Sequence, residues 1–184
     1  SRLVSMRPMR AGAAAIWVAA AFVAGCASLR EPASPDVISG RLTVRVDGPA
    51  SDAPRTLTAE FDLEGSAEHG SLSLATPLGM RIAQARWSPQ QVLLVTPDGE
   101  TAYPDLDALT RRLVGEALPV AAFFDWLRGR PWPGAPSSAL APAQGEGFSQ
   151  FGWQVSFAGP GNGAILARRD APPAVTVRAM IERR

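Results

Sequence analysis

Several chemically useful residues are scarce in this chain of 184 residues. It contains no lysine, one histidine and one cysteine. A single cysteine cannot close a disulfide within the chain, and a zinc site needs several histidine or cysteine ligands. We therefore expect no intramolecular disulfide, no metal and no cofactor.

The only histidine, His69, is a poor candidate for catalysis. It lies in the polar segment GSAEHGS, with no nucleophile-elbow motif nearby. The glycine-rich segment GPGNG lacks the lysine and hydroxyl residue of a phosphate-binding loop and predicts a hairpin turn. The sequence thus predicts a protein that is not an enzyme. Because its arginines form no dense basic patch, nucleic acid is not an expected partner.

The first 25 residues have the pattern of a secretory signal peptide. Three arginines precede the uncharged stretch AGAAAIWVAAAFVA, which is followed by glycine and Cys26. This stretch is shorter than the ~20 apolar residues that a membrane span requires. Removal of residues 1–25 takes away three arginines and no acid, so the formal net charge changes from +1 to slightly negative.

Cys26 lies where a signal peptidase would cut. The segment VAGC resembles the lipobox of bacterial lipoproteins, in which a peptidase cleaves before a cysteine that carries diacylglycerol. We expect Cys26 to be lipidated, since two or more acyl chains anchor a protein firmly to a membrane. Ala27 replaces the aspartate that, by family analogy, retains lipoproteins in the inner membrane, which favours the outer membrane. A stray cysteine at the end of a secretory signal or membrane anchor is the alternative.

The mature chain divides into a tether and one folded domain. Residues 26–39 are polar and rich in proline and serine, which predicts a lipidated tether. Residues 40–184 then form the predicted domain. The chain as a whole is 46% hydrophobic, which is enough for a normal core.

Short alternating segments predict antiparallel strands in the first half of the domain. RLTVRV and LTAEFDL each place apolar residues at every second position, SLSLA and MRIAQ flank a turn, and QVLLVT is followed by an Asp-Gly hairpin signal. The turn itself reads Thr-Pro-Leu-Gly. Pro77 and Gly79 are ordinary turn residues, but Leu78 between them should be pushed into solvent.

Two helices are predicted to interrupt the strands. DLDALTRRLVG offers Asp105 or Asp107 as its N-cap and ends at Gly115. LPVAAFFDWLRG begins at Pro119 and ends at Gly129. A loop over residues 131–147 and three further strands, GWQVSF, AILARR and AVTVRAMI, complete an α+β domain with one sheet.

These segments together resemble the LolB family of outer-membrane lipoproteins over about residues 40–181. LSLATPLG is similar to the family's strand and Asn-Pro-Leu-Gly turn, with Thr76 in place of asparagine. DGETAYPDLDALTRRLVGEALPVAAFFDWLRGRP resembles its hairpin and helix pair. Its Leu-Pro start, internal tryptophan and Gly-x-Pro ending fall on Leu118, Pro119, Trp126, Gly129 and Pro131. GWQVSF resembles its tryptophan strand after the long loop.

The resemblance implies a half-open antiparallel β-barrel with two helices covering the concave apolar side. It also implies a function: a monomer that receives lipoproteins from the periplasmic chaperone LolA and inserts them into the outer membrane, facing the periplasm. The loop of Pro77, Leu78 and Gly79 would touch the membrane. We expect inward side chains to form a cavity for acyl chains, namely Phe61, Leu63, Leu72, Leu74, Ile82, Leu94, Phe123, Trp126 and Leu127.

The sequence also fits other interpretations. The same fold could serve as a lipid-binding sensor or interaction module without insertion activity. The family's helix before the first strand has no room between Cys26 and Gly40, which leaves this second interpretation in place. Each inward residue could equally be plain core, and Leu78 could fold back onto a neighbouring apolar side chain.

Overall fold

The computed structural model describes residues 37–48, 53–158 and 163–182. Cys26, the signal peptide and most of the tether therefore lie outside the described residues. Within these ranges the chain forms eleven strands, two α-helices and a short 3-10 helix at Pro142–Gln144. The strands are β1 Ile38–Val46, β2 Arg55–Gly65, β3 Gly70–Ala75, β4 Arg81–Ser88, β5 Gln91–Thr96, β6 Gly99–Tyr103, β7 Ser138–Ala139, β8 Gly147–Gln150, β9 Trp153–Ala158, β10 Ala164–Arg169 and β11 Val175–Glu182. The helices are α1 Leu106–Val114 and α2 Val120–Trp126.

All eleven strands belong to one antiparallel sheet in the order β6-β5-β4-β3-β2-β1-β11-β10-β9-β8-β7. The sheet is curved and unclosed, since β6 and β7 are its two edges. Two helices cover its concave side, which confirms the predicted α+β open-barrel class. The first strand begins at Ile38, two residues before the predicted start of the domain.

Alternation along the strands separates the two faces of the sheet. In β1, Val44 and Val46 are buried, whereas Arg41 points outward and forms an ion pair with Glu60 on β2 (2.7 Å). The two charged residues lie directly opposite each other in the β1–β2 register. Cross-strand pairs of opposite charge suit the solvent face, and apolar residues between them are left for the core.

The helix boundaries follow from capping. The Asp105 side chain accepts a hydrogen bond from the Ala108 backbone N–H (2.7 Å), so the first of the two predicted caps is the one used. Gly115 ends α1 in the left-handed conformation at φ 92°, as predicted, because glycine adopts this conformation without a steric penalty. Pro119 precedes α2, which ends at Trp126, before the predicted Gly129.

Two features of the sheet differ from the sequence-based prediction. Residues 131–147 were predicted as a loop, but Ser138–Ala139 pairs with β8 and forms the β7 edge of the sheet. β8 itself was missed because GFSQ has no clear alternation of apolar and polar residues. Four or fewer paired residues carry too short a pattern to be recognised in a sequence.

The direction of the strands places several turns at one end of the sheet. Because neighbouring strands are antiparallel and five strands lie between them in the sheet, β3 and β8 run the same way. The β3–β4 turn around Leu78 and the β8–β9 turn at Phe151 and Gly152 therefore lie at the same end, which we call the Leu78 rim. β1 begins at the opposite end.

Candidate functional site

An apolar cavity of about 100 Å³ lies between the concave face of the sheet and the two helices. Strands β1–β5, β10 and β11 line it on one side, and α1, α2 and Leu118 between the helices line it on the other. Thr110 is the only lining residue of a polar type among the residues that the structure describes. A volume of about 10–15 Å³ on the same scale holds one water molecule, so this cavity could take several methylene-sized groups.

The polar side-chain groups of the cavity wall all have hydrogen-bond partners within the protein. The Thr110 hydroxyl donates to the Asp107 carbonyl oxygen (3.2 Å) and accepts from the Leu118 N–H (3.0 Å). The two indole N–H groups of the wall also donate elsewhere, Trp87 to the Ser66 carbonyl oxygen (3.2 Å) and Trp126 to Gln150 Oε1 (2.9 Å). The wall thus offers hydrocarbon contact and no free polar side chain, which suits an alkyl chain better than a polar ligand.

Eight of the nine predicted cavity residues line this space. They are Phe61, Leu63, Leu72, Leu74, Leu94, Phe123, Trp126 and Leu127. The predicted inward orientation of Ile82 is wrong, since its side chain is 38% exposed and absent from the cavity wall. The β3–β4 register shifts by one residue between Leu74 and Ala75, and this bulge falls at Ile82.

The inward face of β4 is formed by Ala83, Ala85 and Trp87, which the sequence-based prediction missed. The sequence does carry a signal for this face. Positions 83, 85 and 87 are all apolar, whereas the alternative face combines Ile82 with glutamine and arginine. The prediction instead followed the single large isoleucine, and a shift of one residue places every side chain of a strand on the opposite face.

A second set of contacts fastens the helical cover to the sheet. Gln150, buried on β8, accepts from Trp126 Nε1 (2.9 Å) and from the Trp132 N–H (3.0 Å). Its amide nitrogen donates to the carbonyl oxygens of Trp132 (2.7 Å) and Ala135 (2.8 Å). One side chain therefore holds both a tryptophan of the cavity wall and the loop that follows α2.

An ion pair adds to this fastening at the connection between the helices. Arg169 on β10 donates to Glu116 Oε2 (2.9 Å), and both side chains are largely shielded from solvent. The guanidinium also lies over the Trp153 ring, 5.5 Å from its centroid. Partly buried contacts of this kind are worth more than exposed ion pairs, because water screens them less.

Hydrogen bonds to Thr76 hold the Leu78 turn, and its leucine is exposed. The Gly79 N–H donates to the Thr76 carbonyl oxygen (2.8 Å), and the Met80 N–H donates to the Thr76 hydroxyl (3.2 Å). Gly79 has φ 81°, which a glycine accepts without strain. Leu78 is 93% exposed, so the alternative that it folds back onto a neighbour is wrong.

The other candidate residues form no further site in the part of the chain that the structure describes. His69 is exposed in a turn, where its backbone N–H donates to the Ser66 hydroxyl (3.1 Å). Among the described residues, no group of three or more histidine, cysteine, aspartate or glutamate side chains could hold a metal ion. Neither α-helix in the described ranges has the length and apolarity needed to cross a membrane.

The fold and the cavity define a class of protein: an open antiparallel barrel whose helical cover encloses an apolar, ligand-sized space. The sequence matches the family model described as outer membrane lipoprotein LolB over residues 37–173. The chain belongs to the LolB family, which confirms the resemblance and links it to lipoprotein localisation.

Individual relatives agree with this assignment. The chain is 32% identical over 160 residues to the outer-membrane lipoprotein LolB of Ralstonia nicotianae, covering 79% of this chain and 76% of the relative. It is 30% identical over 171 residues to that of Bordetella petrii, with 85% of each chain covered. The LolB of Bordetella pertussis is 30% identical over 180 residues, covering 90% of this chain and 89% of the relative.

Replacement of Gln150 by leucine should destabilise the domain. The change leaves the Trp126 indole N–H and the Trp132 backbone without their partners, and each buried unpaired group costs about 1–3 kcal/mol. We expect the free energy of unfolding to fall by about 3 kcal/mol in urea denaturation. Gln154→Leu on the exposed face of β9 is the matched control and should change it by less than about 0.5 kcal/mol. Equal effects of the two substitutions would contradict the role of Gln150.

Proposed function

We propose that this protein is anchored in the outer membrane through lipidated Cys26, facing the periplasm. There it receives lipoproteins from the periplasmic chaperone LolA in its cavity and inserts them into the membrane. The observation that carries the proposal is the cavity wall, in which every polar side-chain group is engaged elsewhere. Membership of the LolB family supports the same conclusion.

The energetics of an acyl chain explain why such a cavity is useful. Exposure of each methylene to water costs about 0.8 kcal/mol, so a lipoprotein crosses an aqueous space only when a carrier covers its chains. Transfer of a lipoprotein from one carrier to the next needs no nucleotide hydrolysis if each acceptor binds the acyl chains more tightly than the donor does. An apolar cavity that binds hydrocarbon less tightly than a bilayer can therefore pass its cargo on.

The exposed leucine supports a role at the final step. Leu78 stands on a turn that two hydrogen bonds to Thr76 hold in place, and it contributes little to the core because it is 93% exposed. An apolar side chain held in water loses nothing when it enters a bilayer and gains the free energy of its burial. We propose that the Pro77–Gly79 loop enters the membrane as cargo is released.

Depletion of the protein in the bacterium that encodes it tests the proposed function as a whole. Fractionation of the cells should then show lipoproteins of the outer membrane accumulating in the periplasm, bound to LolA. Restoration of the intact gene should reverse the accumulation. Unchanged sorting after depletion would contradict transport and leave the lipid-binding sensor as the better interpretation.

Filling of the cavity should block cargo binding without unfolding the domain. Ala85 lies in the wall between Leu72 and Leu94 in the sheet register, so Ala85→Leu adds hydrocarbon directly to the space. We expect affinity for a fluorescent acyl probe to fall about ten-fold or more, since each displaced methylene is worth about 0.8 kcal/mol. Gln84→Leu on the opposite face of β4 is the control and should bind normally. Normal binding by Ala85→Leu would place the acyl site elsewhere.

Replacement of Leu78 by glutamate should separate binding from insertion. The melting temperature should stay within about 2 °C of the parent, because substitutions at exposed sites change stability little. Cargo should still pass from LolA to the variant but should fail to enter phospholipid vesicles in a flotation assay. Met180→Glu, at an exposed apolar position on β11, should insert cargo normally. Normal insertion by Leu78→Glu would rule out the proposed role of the loop.

A further inference from the structure

A second exposed apolar residue, Phe151, lies on the Leu78 rim, and its backbone conformation is strained. Phe151 and Gly152 form the two-residue turn between β8 and β9, with φ 54° and φ 76°. Two successive positive φ values are typical of a type I′ turn, in which asparagine, aspartate and glycine are the favoured residues. Phe151 is the one residue other than glycine with positive φ in the part of the chain that the structure describes. A strained residue of this kind points to a functional demand on the side chain.

The surroundings hold Phe151 in an exposed position. Its ring lies 5.6 Å from the Trp132 ring centroid at an interplanar angle of 38°, yet 48% of the residue remains exposed. Gly134 packs closely against the Trp132 ring, where a Cβ atom would come within 2.2 Å of it. The Gln150 side chain fixes the Trp132 backbone. The turn thus presents an aromatic surface to solvent on a firm support.

Two arginines that precede Trp132 in the chain suit a lipid headgroup layer. Arg128 and Arg130 lie in the segment between α2 and Trp132, and both are exposed. Arg130 forms an ion pair with Asp125 (2.6 Å), whereas Arg128 donates to the Phe124 carbonyl oxygen and pairs with no carboxylate among the described residues. Aromatic side chains favour the boundary between headgroups and hydrocarbon, and arginines are attracted to anionic lipids.

We infer that Phe151 is a second membrane-contact residue, which meets the lipid surface together with Leu78. The two turns follow strands that run in the same direction, so they lie at the same end of the sheet. They also lie on different arms of it, with β2, β1, β11, β10 and β9 between β3 and β8. Two separated contacts hold the rim against a membrane, whereas a single contact lets it pivot. This inference extends the proposed function of the Leu78 loop.

Photo-crosslinking in intact cells tests this inference on the lipidated full chain. Benzoylphenylalanine is introduced singly at position 78 or 151, and the cells are grown with radioactive phosphate and then irradiated. A diacylglycerol anchor contains no phosphorus, so radioactivity on the protein that phospholipase C removes reports phospholipid adducts. We expect adducts at both positions. Gln90, in the exposed β4–β5 turn at the other end of the sheet, and Met180 are the controls and should give none.

Each outcome has a defined meaning. An adduct at 78 without one at 151 overturns the inference and leaves the proposed function intact. An adduct at 151 without one at 78 supports the inference and contradicts the role proposed for Leu78. Absence of adducts at both positions overturns both. Adducts at Gln90 or Met180 as abundant as those at 151 would show that lipid reaches any exposed site, which also overturns the inference.

Phe151→Asn distinguishes membrane contact from a structural role. Asparagine is favoured in a type I′ turn, whereas Phe151 strains the backbone there. The melting temperature of the variant should therefore rise by about 2–4 °C. In the same background, the phospholipid adduct formed at position 78 should decrease, because the rim has lost one of its two contacts. A fall in melting temperature with an unchanged adduct at 78 would show that Phe151 serves packing against Trp132, and would overturn the inference.

Discussion

The packing of α1 and α2 against the concave face of the sheet is the interaction on which the rest of the structure depends. The sheet has two apolar clusters, one mainly under β2–β5 and the other mainly under β8–β11, and β1 and β11 contribute to both. α2 joins them, because Val120 and Phe124 belong to the first cluster whereas Ala122 and Trp126 belong to the second. Two helices of nine and seven residues cannot fill so wide a face, and the space left between the clusters is the cavity. The cavity therefore exists because the two short helices cannot pack against the whole concave face of the sheet.

Much of this architecture could be predicted from local patterns. Alternation located most of the strands, and the Asp105 and Gly115 caps located α1, because each reflects a short-range physical preference. Ile82 was predicted on the wrong face because a bulge beside it changes which residues of β4 are buried. The apolar residues at positions 83, 85 and 87 mark the buried face in the sequence, but the bulge itself is visible only in the structure. The pattern also cannot distinguish a cavity wall from a filled core, because burial looks the same in both. That distinction depends on how far the helices stand from the sheet.

The position of Phe151 likewise could not be found in the sequence. The sequence does not reveal β8 or the turn that follows it, and the positive φ of Phe151 is visible only in three dimensions. Leu78 was different, since Pro77 and Gly79 mark its turn directly. The exposure of a residue can be predicted when its neighbours are typical turn residues. A residue whose backbone conformation is unfavourable for its own type is found only in a structure.

The placement of the two ends of the sheet constrains how an anchored domain meets its membrane. β1 begins at the end opposite to the Leu78 rim. If Cys26 carries the proposed lipid anchor, the chain between it and β1 must cover the length of the sheet for the rim to reach the same bilayer. A strand of 11 residues, such as β2, is about 36 Å long. The chain from Cys26 to Ile38 spans at most about 40 Å when fully extended. The two lengths nearly match, so a lipidated Cys26 would let the rim reach the bilayer with little slack, and a shorter tether would hold it away.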